Sequence, residues 1–572
     1  MMKLTYLIPV LFLVMPGYFH PTLLAQKNDY FWQVPNSNGI DFRFDPPIVF
    51  FLPSSEYSES AASIASDEGE PRFYLDARLG MVIWDTLSGK VLDATAESKI
   101  RNKDGIVVEN GDSIKTDQSI SQALVLPQPG KKERYYFFTF WNIEEFVKPC
   151  SLYYHVVDGT ANGGKGKVIQ KNVSLFPQYM AQKITATRHA NGKDWWIITH
   201  NYTGGKYYVF LLSEQGIAEP LIQEIGLKYE AGFWGQDAMV GVLQFSPQGD
   251  KLVNFMGSTV KQIEILYFDR CTGCLSPFNK EIDLSEDWYG GTFSPDGNLL
   301  YTNIGTRMIQ LDLEASDITS SLTEIGWSSF RPSKYQIAPN GKIYINDSFE
   351  NYLFSINEPN IKGNACNFKD SALHLNNNMP GMCRIDLPNM PNFRLGASVP
   401  TYERRDTVVC PGDSVVIGLP ETCGYAYRWT PGRGLSDSTA AMPDASPRWT
   451  TTYTRETYSP RFSCVSRYDV YHLIINEKPV PPCTVTHRSN NLSQELFSIH
   501  PNPAQETITI RLSSAITGIV LLRLTDLSGR LVKETSLDSE EGMLSLSEVS
   551  AGCYLLTVSS AQGQQTVKLM VE

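Results

Sequence analysis

The stretch Leu243-Gln-Phe-Ser-Pro-Gln-Gly-Asp-Lys-Leu252 is typical of two β-strands joined by a tight turn. Its proline fixes one backbone angle, its polar side chains can bond the turn backbone, and its glycine supplies the positive φ that closes the turn. The same pattern returns in Gly291-Thr-Phe-Ser-Pro-Asp-Gly-Asn-Leu-Leu-Tyr301 and in Tyr335-Gln-Ile-Ala-Pro-Asn-Gly-Lys-Ile-Tyr344. A strand-turn-strand unit that recurs along one chain predicts a repeat architecture built from small antiparallel sheets.

Weaker copies of this unit lie upstream, in Ser63–Tyr74, Ala123–Phe137 and Thr187–Ile198. Together, the copies place turn glycines 44 to 62 residues apart, at Gly69, Gly130, Gly192, Gly249, Gly297 and Gly341. That spacing suits one four-stranded blade per copy, so residues 28–400 are predicted to form a β-propeller with six visible blades. The alternative is a propeller of seven blades, in which the sequence of one blade has diverged from the repeat. The alternating run Gly39-Ile-Asp-Phe-Arg-Phe44 is a candidate strand for closing the ring against the last blade.

The composition fits a globular all-β chain with more than one domain. Its 572 residues exceed the length of one ordinary domain, and its apolar share of 42% allows a large core. The 49 basic and 61 acidic residues give a net charge of −12. Such a chain has no positive field to offset phosphate repulsion, so nucleic-acid binding is excluded.

The first 25 residues have the features of a secretory signal peptide. Lys3 precedes a short apolar run from Leu4 to Met15, and cleavage is predicted between Ala25 and Gln26. A membrane anchor would need about 20 apolar residues, and prolines interrupt this run too early. No later segment approaches that length, so the mature chain is predicted to have no transmembrane segment.

After residue 400 the sequence predicts a second β-rich region, at 404–478, followed by a Pro- and Asn-containing linker at 479–495. The arrangement Cys423…Trp429…Cys464 resembles the immunoglobulin-like pattern, in which a tryptophan packs beside an inter-sheet disulfide. An immunoglobulin-like β-sandwich is therefore expected here. Cys410 is an alternative partner for Cys464.

Ten cysteines in an exported chain favour disulfides, because an oxidising compartment lets them persist. The candidates are Cys271, Cys274, Cys366, Cys383, Cys423 and Cys464. Cys271 and Cys274 are interpreted as a staple across a tight turn rather than as zinc ligands, because no second pair with ligand spacing accompanies them. Neither a metal nor a cofactor is predicted. The connectivity among Cys410, Cys423, Cys464 and Cys483 stays open.

The last 77 residues, Leu496–Glu572, form a compact unit of alternating strands that is predicted to be a small β-sandwich. Four motifs in it resemble the type A C-terminal sorting domain of type IX secretion cargo: Phe497–Ala504, Asp526–Arg530, Leu546–Tyr554 and Lys568–Val571. The residues that carry the resemblance are Pro501, Asn502, Pro503, Gly529, Arg530, Gly552, Tyr554 and Lys568. Cys553 departs mildly from the family, which commonly has an aliphatic residue there.

This resemblance implies export through the periplasm, with the outer-membrane type IX translocon and its sorting protease as partners. It also implies removal of the domain, followed by attachment to surface lipopolysaccharide or by release. The protein is therefore expected to be secreted or located at the outer-membrane surface. The upstream regions are similar to the propeller and PKD-like modules of such cargo, and neither likeness brings a catalytic residue with it.

No constellation in the sequence predicts catalysis. His189 and His200 are eleven residues apart, lack a supporting ligand cluster, and are interpreted as structural. The candidate ligand-binding residues precede predicted innermost strands, where entry loops surround the channel: Trp234, Trp288, Tyr289, Arg331 and Lys334. We therefore expect a non-catalytic binding protein with an extracellular glycan or protein ligand. The alternatives are a propeller hydrolase or lyase acting on glycan or peptide, and an adhesin or surface-motility component.

Overall fold

A computed structural model gives the structure of the chain. It describes residues 26–34, 38–51, 62–74, 84–85, 90–91, 122–141, 151–164, 166–229, 241–256, 262–278, 282–284, 290–329, 332–347, 350–375, 387–475, 497–501, 504–512, 520–526, 531–537, 539, 541–547, 549–550, 552–560 and 563–571.

Seven antiparallel sheets and one separate two-stranded ribbon follow one another along the described part of the first 374 residues. The first sheet contains β1 (Phe31–Val34), β2 (Asn38–Asp41) and β3 (Ile48–Phe51). The second contains β4 (Ser63–Ala65) and β5 (Pro71–Tyr74), and a separate ribbon pairs β6 (Trp84–Asp85) with β7 (Lys90–Val91). The third contains β8 (Leu124–Pro127), β9 (Arg134–Trp141), β10 (Ser151–Asp158) and β11 (Lys167–Ser174), with the short helix α1 (Ala161–Gly164) before β11.

The next four sheets have the same sequential order of strands. The fourth contains β12 (Thr185–Arg188), β13 (Trp195–His200), β14 (Tyr207–Ser213), β15 (Gly216–Ile217) and β16 (Leu221–Gln223). The fifth contains β17 (Leu243–Phe245), β18 (Lys251–Met256), β19 (Gln262–Phe268), β20 (Leu275–Pro277) and β21 (Ile282–Asp283). The sixth contains β22 (Gly291–Phe293), β23 (Leu299–Ile304), β24 (Arg307–Asp312) and β25 (Thr323–Trp327), with a 3₁₀ turn at Thr319–Ser321. The seventh contains β26 (Pro332–Ile337), β27 (Ile343–Asp347), β28 (Tyr352–Ile356) and β29 (Phe368–His374), with a 3₁₀ turn at Gly363–Cys366.

The first strands of neighbouring sheets contact one another, as β1 does with β4, β4 with β8, β12 with β17, and β22 with β26. Successive meander sheets whose first strands meet are the arrangement of a propeller. The fold is therefore all-β and propeller-like, as the sequence predicts.

The predicted turn glycines are confirmed. All six have positive φ, between 69° and 93°, and each lies between the first and second strands of its sheet. In the sixth sheet the Gly297 N–H donates to the Ser294 carbonyl at 2.9 Å, and the Ser294 hydroxyl donates to Asp296 Oδ1 at 2.5 Å. Because an L side chain is strained at positive φ, the glycine keeps its place in every copy of the turn.

The sheet that the repeat pattern missed is the first one. Its strands β1, β2 and β3 pair with each other, so residues 39–44 do not add a strand to the last sheet. Trp32 and Phe42 instead pack on Tyr344 of the seventh sheet, with ring centroids 6.0 and 5.7 Å apart. The first and last sheets therefore share one aromatic core.

The described chain divides into two compact units. The first unit comprises Met1–Thr401 together with two short later segments, Glu421–Ala426 and Thr457–Arg467. The second comprises Tyr402–Pro420, Tyr427–Glu456 and Tyr468–Glu572. None of the helices in the described residues is long and apolar enough to cross a membrane.

Downstream of residue 400, two groups of strands have separate cores. The first group consists of β30 (Thr401–Val409), β31 (Val415–Val416), β32 (Ala426–Thr430), β33 (Asp444–Ala445), β34 (Thr451–Ser459) and β35 (Cys464–Ile475). Its core contains Trp429, Tyr453 and Leu473, and the buried Arg455 guanidinium donates to Asp469 Oδ2 at 2.7 Å.

The C-terminal group forms two sheets around its own core. The strands are β36 (Phe497–His500), β37 (Thr507–Leu512), β38 (Val520–Asp526), β39 (Leu531–Leu537), β40 (Glu541–Ser545), β41 (Gly552–Ser560) and β42 (Gly563–Val571). One sheet has the order β36-β37-β40 and the other β39-β38-β41-β42. Alternate residues such as Ile508 and Ile510 are fully buried, as the period of two in the sequence predicts.

Candidate functional site

Most of the predicted ligand-binding residues lie outside the described residues, namely Trp234, Trp288, Tyr289 and Arg331. Lys334 is described and lies in β26, where it is buried. Its backbone N–H donates to Asn346 Oδ1 at 2.7 Å, and its side chain lines a small recess with Gln122, Gln244 and Gln336. Of the five predicted residues, Lys334 is thus the one that the structure describes, and it lies at the centre where the first strands of the sheets meet, which we call the axis.

A segment without regular secondary structure, residues 387–398, lies against the first strands; we call it the axial segment. The Asn389 side-chain amide donates to the Ile184 carbonyl at 2.7 Å, and that of Asn392 donates to the Pro247 carbonyl at 2.8 Å. The Phe393 ring packs edge-on against Trp195, with centroids 5.3 Å apart. The axial segment is therefore tied to more than one sheet.

Beside the axial segment lies a cavity of about 260 Å³, which we call the axial cavity. It lies where the first strands end and their turns begin, and its apolar lining includes Ala186, Phe245, Ile337, Ala338, Met390 and the prolines 247, 295, 339 and 391. Its polar lining includes Asp29, Gln244, Gln336, Asn392 and Arg394. Small-molecule and peptide sites combine a mostly apolar wall with a few polar groups in this way.

One ion pair borders the axial cavity. Arg394 Nη2 donates to Asp29 Oδ2 at 2.7 Å, and the Asp29 side chain is 4% exposed. Burial raises the pKa of Asp29 to about 6, and the positive charge of Arg394 opposes that rise. Asp29 Oδ1 is buried and has no hydrogen-bond partner in the described part of the chain. This carboxyl group is therefore poised to change charge in mildly acidic surroundings.

Three glutamine side chains lie along the axis, and two of them form hydrogen bonds to both the backbone N–H and the backbone carbonyl of another residue. Gln336 Oε1 accepts from the Met390 N–H and its Nε2 donates to the Met390 carbonyl, both at 3.1 Å. Gln122 Oε1 accepts from the Leu243 N–H at 3.0 Å and its Nε2 donates to the Leu243 carbonyl at 3.3 Å. The third glutamine, Gln244, has a buried Oε1 with no partner among the described residues.

A second polar group, which we call the buried polar cluster, connects the fourth and fifth sheets. Lys183 Nζ donates to Asn254 Oδ1 at 3.0 Å, and Asn254 Nδ2 donates to the Tyr207 hydroxyl at 3.0 Å. Tyr207 in turn donates to Glu264 Oε2 at 2.5 Å, and His200 packs on the Tyr207 ring. Burial lowers the pKa of Lys183 to about 7 and raises the pKa of Glu264.

Sequence reasoning found His200 but missed the rest of the buried polar cluster. Its other members come from β14, β18, β19 and the segment before β12, and no local spacing connects them. His189 lies apart from the cluster, where its Nδ1 accepts from the Asn191 N–H at 3.0 Å. Within the described residues no three His, Cys, Asp or Glu side chains group as metal ligands.

Two buried histidines make the fold sensitive to acid. Burial lowers the pKa of His155 and of His200 from 6.5 to about 3, so both rings stay neutral while the unfolded chain takes up protons. We expect the free energy of unfolding to fall from pH 6.5 towards pH 3, with each ring contributing about 1.4 kcal/mol per pH unit. Urea denaturation of the His155→Gln, His200→Gln double variant should show a shallower pH dependence. His374→Gln, at an exposed position of β29, is the control, and an equal slope in all three proteins would contradict the prediction.

The disulfides differ from the predicted pairing. Cys271 is bonded to Cys464, and Cys274 is bonded to Cys423. The turn staple between Cys271 and Cys274 is therefore wrong, as is a bridge from Cys464 to Cys423 or Cys410. All four bonded cysteines lie in the first unit, because the segments that carry Cys423 and Cys464 belong to it.

The other cysteines are only partly described. Cys366 is a buried free thiol, and Cys410 is disulfide-bonded. Cys383 and Cys483 lie outside the described residues.

Side-chain contacts accompany the two disulfides within the first unit. The Phe462 ring packs edge-on against Trp196 at 4.8 Å and lies 6.0 Å from His189. The Tyr425 hydroxyl donates to Asp269 Oδ2 at 2.8 Å. His189 is therefore buried between the rings of Trp196 and Phe462.

The residues of the predicted export signals are partly described. Gly552 begins β41, and the buried Tyr554 donates from its hydroxyl to the Ser550 carbonyl at 2.7 Å. Lys568 lies in β42 opposite Leu555, and Pro501 directly follows β36. The remaining predicted residues lie outside the described part: Ala25, Asn502, Pro503, Gly529 and Arg530. Gln26 is described, and its side-chain oxygen accepts from Arg188 Nη2.

Several solved structures are similar to this chain, each with low identity and a TM-score below 0.5. One is a putative 6-phosphogluconolactonase from Bacteroides uniformis, with 12% identity and a TM-score of 0.38, covering 63% of this chain and 99% of that one. A functionally unknown protein from Desulfotomaculum acetoxidans has 14% identity, a TM-score of 0.35 and the same two coverages. A periplasmic gluconolactonase from Pseudomonas aeruginosa has 9% identity and a TM-score of 0.29, covering 77% of this chain and 95% of that one. No curated protein matches the sequence.

The C-terminal unit matches a family model. Residues 498–572 match the secretion system C-terminal sorting domain, where the four motifs lie. Such a domain implies interaction with the type IX secretion machinery. The protein is therefore a type IX secretion cargo with an all-β, propeller-like fold, exported to the cell surface or the extracellular space.

Proposed function

We propose that this exported chain is a non-catalytic binding protein that holds an extracellular glycan or protein ligand in the axial cavity. The observation that carries the proposal is the cavity itself. It combines an apolar wall with a few polar groups, and one of them, Gln244, has a buried oxygen with no hydrogen-bond partner among the described residues. A ligand that enters would cover the wall and supply the missing hydrogen bond.

The walls of the axial cavity support binding because they are held in place before a ligand arrives. Gln336 pairs with Met390, and Asn392 bonds the turn that follows β17, so the axial segment is ordered along the cavity. Binding to a preformed site loses little conformational freedom, which leaves more of the interaction energy as affinity.

On this proposal, the immunoglobulin-like or PKD-like region spaces the binding unit from the C-terminal domain. The outer-membrane translocon and the sorting protease recognise that domain and remove it. Attachment to surface lipopolysaccharide then retains the protein, or the protein is released. An adhesin or motility component would use the same binding unit on another surface.

The second candidate is a hydrolase or lyase, which the buried polar cluster favours. A lysine with a pKa near 7 beside a carboxyl group with a raised pKa is a pattern found at catalytic sites. Against it, each of Lys183, His200, Tyr207 and Glu264 is at most 8% exposed. Lys183 also donates to Asn254 and Tyr207 donates to Glu264, so these polar groups bond within the cluster. We therefore place binding first.

Filling the axial cavity should abolish binding. Ala338 lines the cavity, so the larger Ala338→Phe side chain is expected to fill part of the space of the ligand. We expect a loss of affinity of at least about tenfold for any ligand found on glycan and peptide arrays.

The control is Ala218→Phe, at an exposed position before β16, with thermal unfolding as the check on folding in both variants. Turnover of an array ligand without stable binding would contradict the proposal, as would a ligand whose affinity the Ala338→Phe change leaves intact.

A further inference from the structure

We propose that the ligand of the axial cavity is an extended peptide, and that Gln244 recognises the backbone N–H and carbonyl of one of its residues by a pair of hydrogen bonds. This inference rests on the proposed function, since it takes the axial cavity as the binding site. To the proposed function it adds the chemical class of the ligand and the residue that binds the ligand backbone.

The molecule already makes this kind of pair twice along the same axis. Gln336 binds both the N–H and the carbonyl of Met390, a residue of the axial segment without regular structure. Gln122 binds both polar groups of Leu243 in the same manner. A primary amide carries a donor and an acceptor in one plane, which matches the two backbone groups of a single extended residue.

Gln244 is the repeat equivalent of Gln336. Each occupies the first strand of its sheet, and each precedes its turn glycine by five positions, Gly249 and Gly341 respectively. Both side chains line the axial cavity. Gln336 is saturated by Met390, whereas Gln244 is 9% exposed and its Oε1 lacks a partner in the described chain. A peptide N–H delivered into the cavity would complete the third pair.

The rest of the lining also favours a peptide over a sugar. Among the described residues that line the cavity, Phe245 is the one aromatic side chain, so this wall offers little aromatic surface for stacking a sugar ring. Its prolines and Met390 form an apolar surface suited to aliphatic side chains. Met390, which lines the cavity, already has its backbone N–H and carbonyl bound by this chemistry.

The test uses the whole exported protein, a random hexapeptide library and a glycan array. A labelled hexapeptide from the library should bind the wild-type protein and lose at least about tenfold in affinity with Gln244→Leu, which keeps the size of the side chain but removes both polar atoms. Gln215→Leu, at an exposed position between β14 and β15, should bind normally. Thermal unfolding should show that all three proteins are folded.

N-methylation of the peptide gives a readout that a merely structural role of Gln244 would not produce. Methylating the recognised backbone nitrogen should weaken binding to the wild-type protein, but should cause no further loss with Gln244→Leu, because both changes remove the same pair. Additive losses at every methylated position would overturn the assignment of Gln244.

Different results would contradict the peptide ligand and the binding function of the axial cavity. Glycans that bind and are blocked by Ala338→Phe, with no peptide bound, would overturn the peptide ligand and leave the binding function standing. If no ligand of either class depends on the axial cavity, both the peptide assignment and the proposed function are overturned.

Discussion

Removal of residues 496–572 is expected to stop delivery to the cell surface completely and to leave the protein in the periplasm. The matched sorting domain occupies 498–572, and its buried core consists of residues between Phe497 and Val571. Deleting it therefore takes no side chain from the core around Trp429 or from those of the propeller-like unit. The measurement is the distribution of the protein between periplasm, cell surface and medium.

The control for this deletion is a transplant. The same 77 residues, placed behind a periplasmic reporter protein, should carry the reporter to the surface. Unchanged surface delivery of the truncated protein would refute the role of the domain. Failure of the transplant alone would mean that upstream residues take part in recognition.

Loss of the two disulfides in the first unit should have the largest effect on stability. The bonds join residues 193 and 149 positions apart, so each removes a long loop from the unfolded chain. For loops of this length, we expect each of the double variants Cys271→Ser, Cys464→Ser and Cys274→Ser, Cys423→Ser to lower the free energy of unfolding by about 3–5 kcal/mol. Urea denaturation under non-reducing conditions measures this loss.

Peptide mapping without reduction gives an independent check on the connectivity. It should recover the Cys271 peptide joined to that of Cys464, and the Cys274 peptide joined to that of Cys423. Cys366→Ser, which changes the buried free thiol, is the control and should cost less than either double variant. A bridge between Cys271 and Cys274 would contradict the structure.

The candidate site could be predicted from the sequence less well than the fold. The predicted ligand-binding residues precede the innermost strands of the sheets. The axial cavity instead lies where those strands end. One signal could have found it: Gln244 and Gln336 occupy equivalent places in two copies of the repeat. The axial segment carries a weaker signal, the tandem Pro388-Asn-Met390 and Pro391-Asn-Phe393, which the sequence analysis did not single out.

The sequence by itself determined the local structure and the destination of the protein. Turn glycines at positive φ follow from steric limits within a few residues, alternation of apolar residues follows from the pleat of a strand, and the C-terminal motifs lie close together in the chain. Only the tertiary structure decided the disulfide partners, the buried polar cluster and the axial cavity. The disulfides and the axial cavity join residues more than a hundred positions apart, such as Cys271 with Cys464 and Asp29 with Arg394. The buried polar cluster joins residues 57 and 71 positions apart, namely Tyr207 with Glu264 and Lys183 with Asn254. Their pairing depends on how whole sheets pack, and no local pattern in the chain encodes that distance.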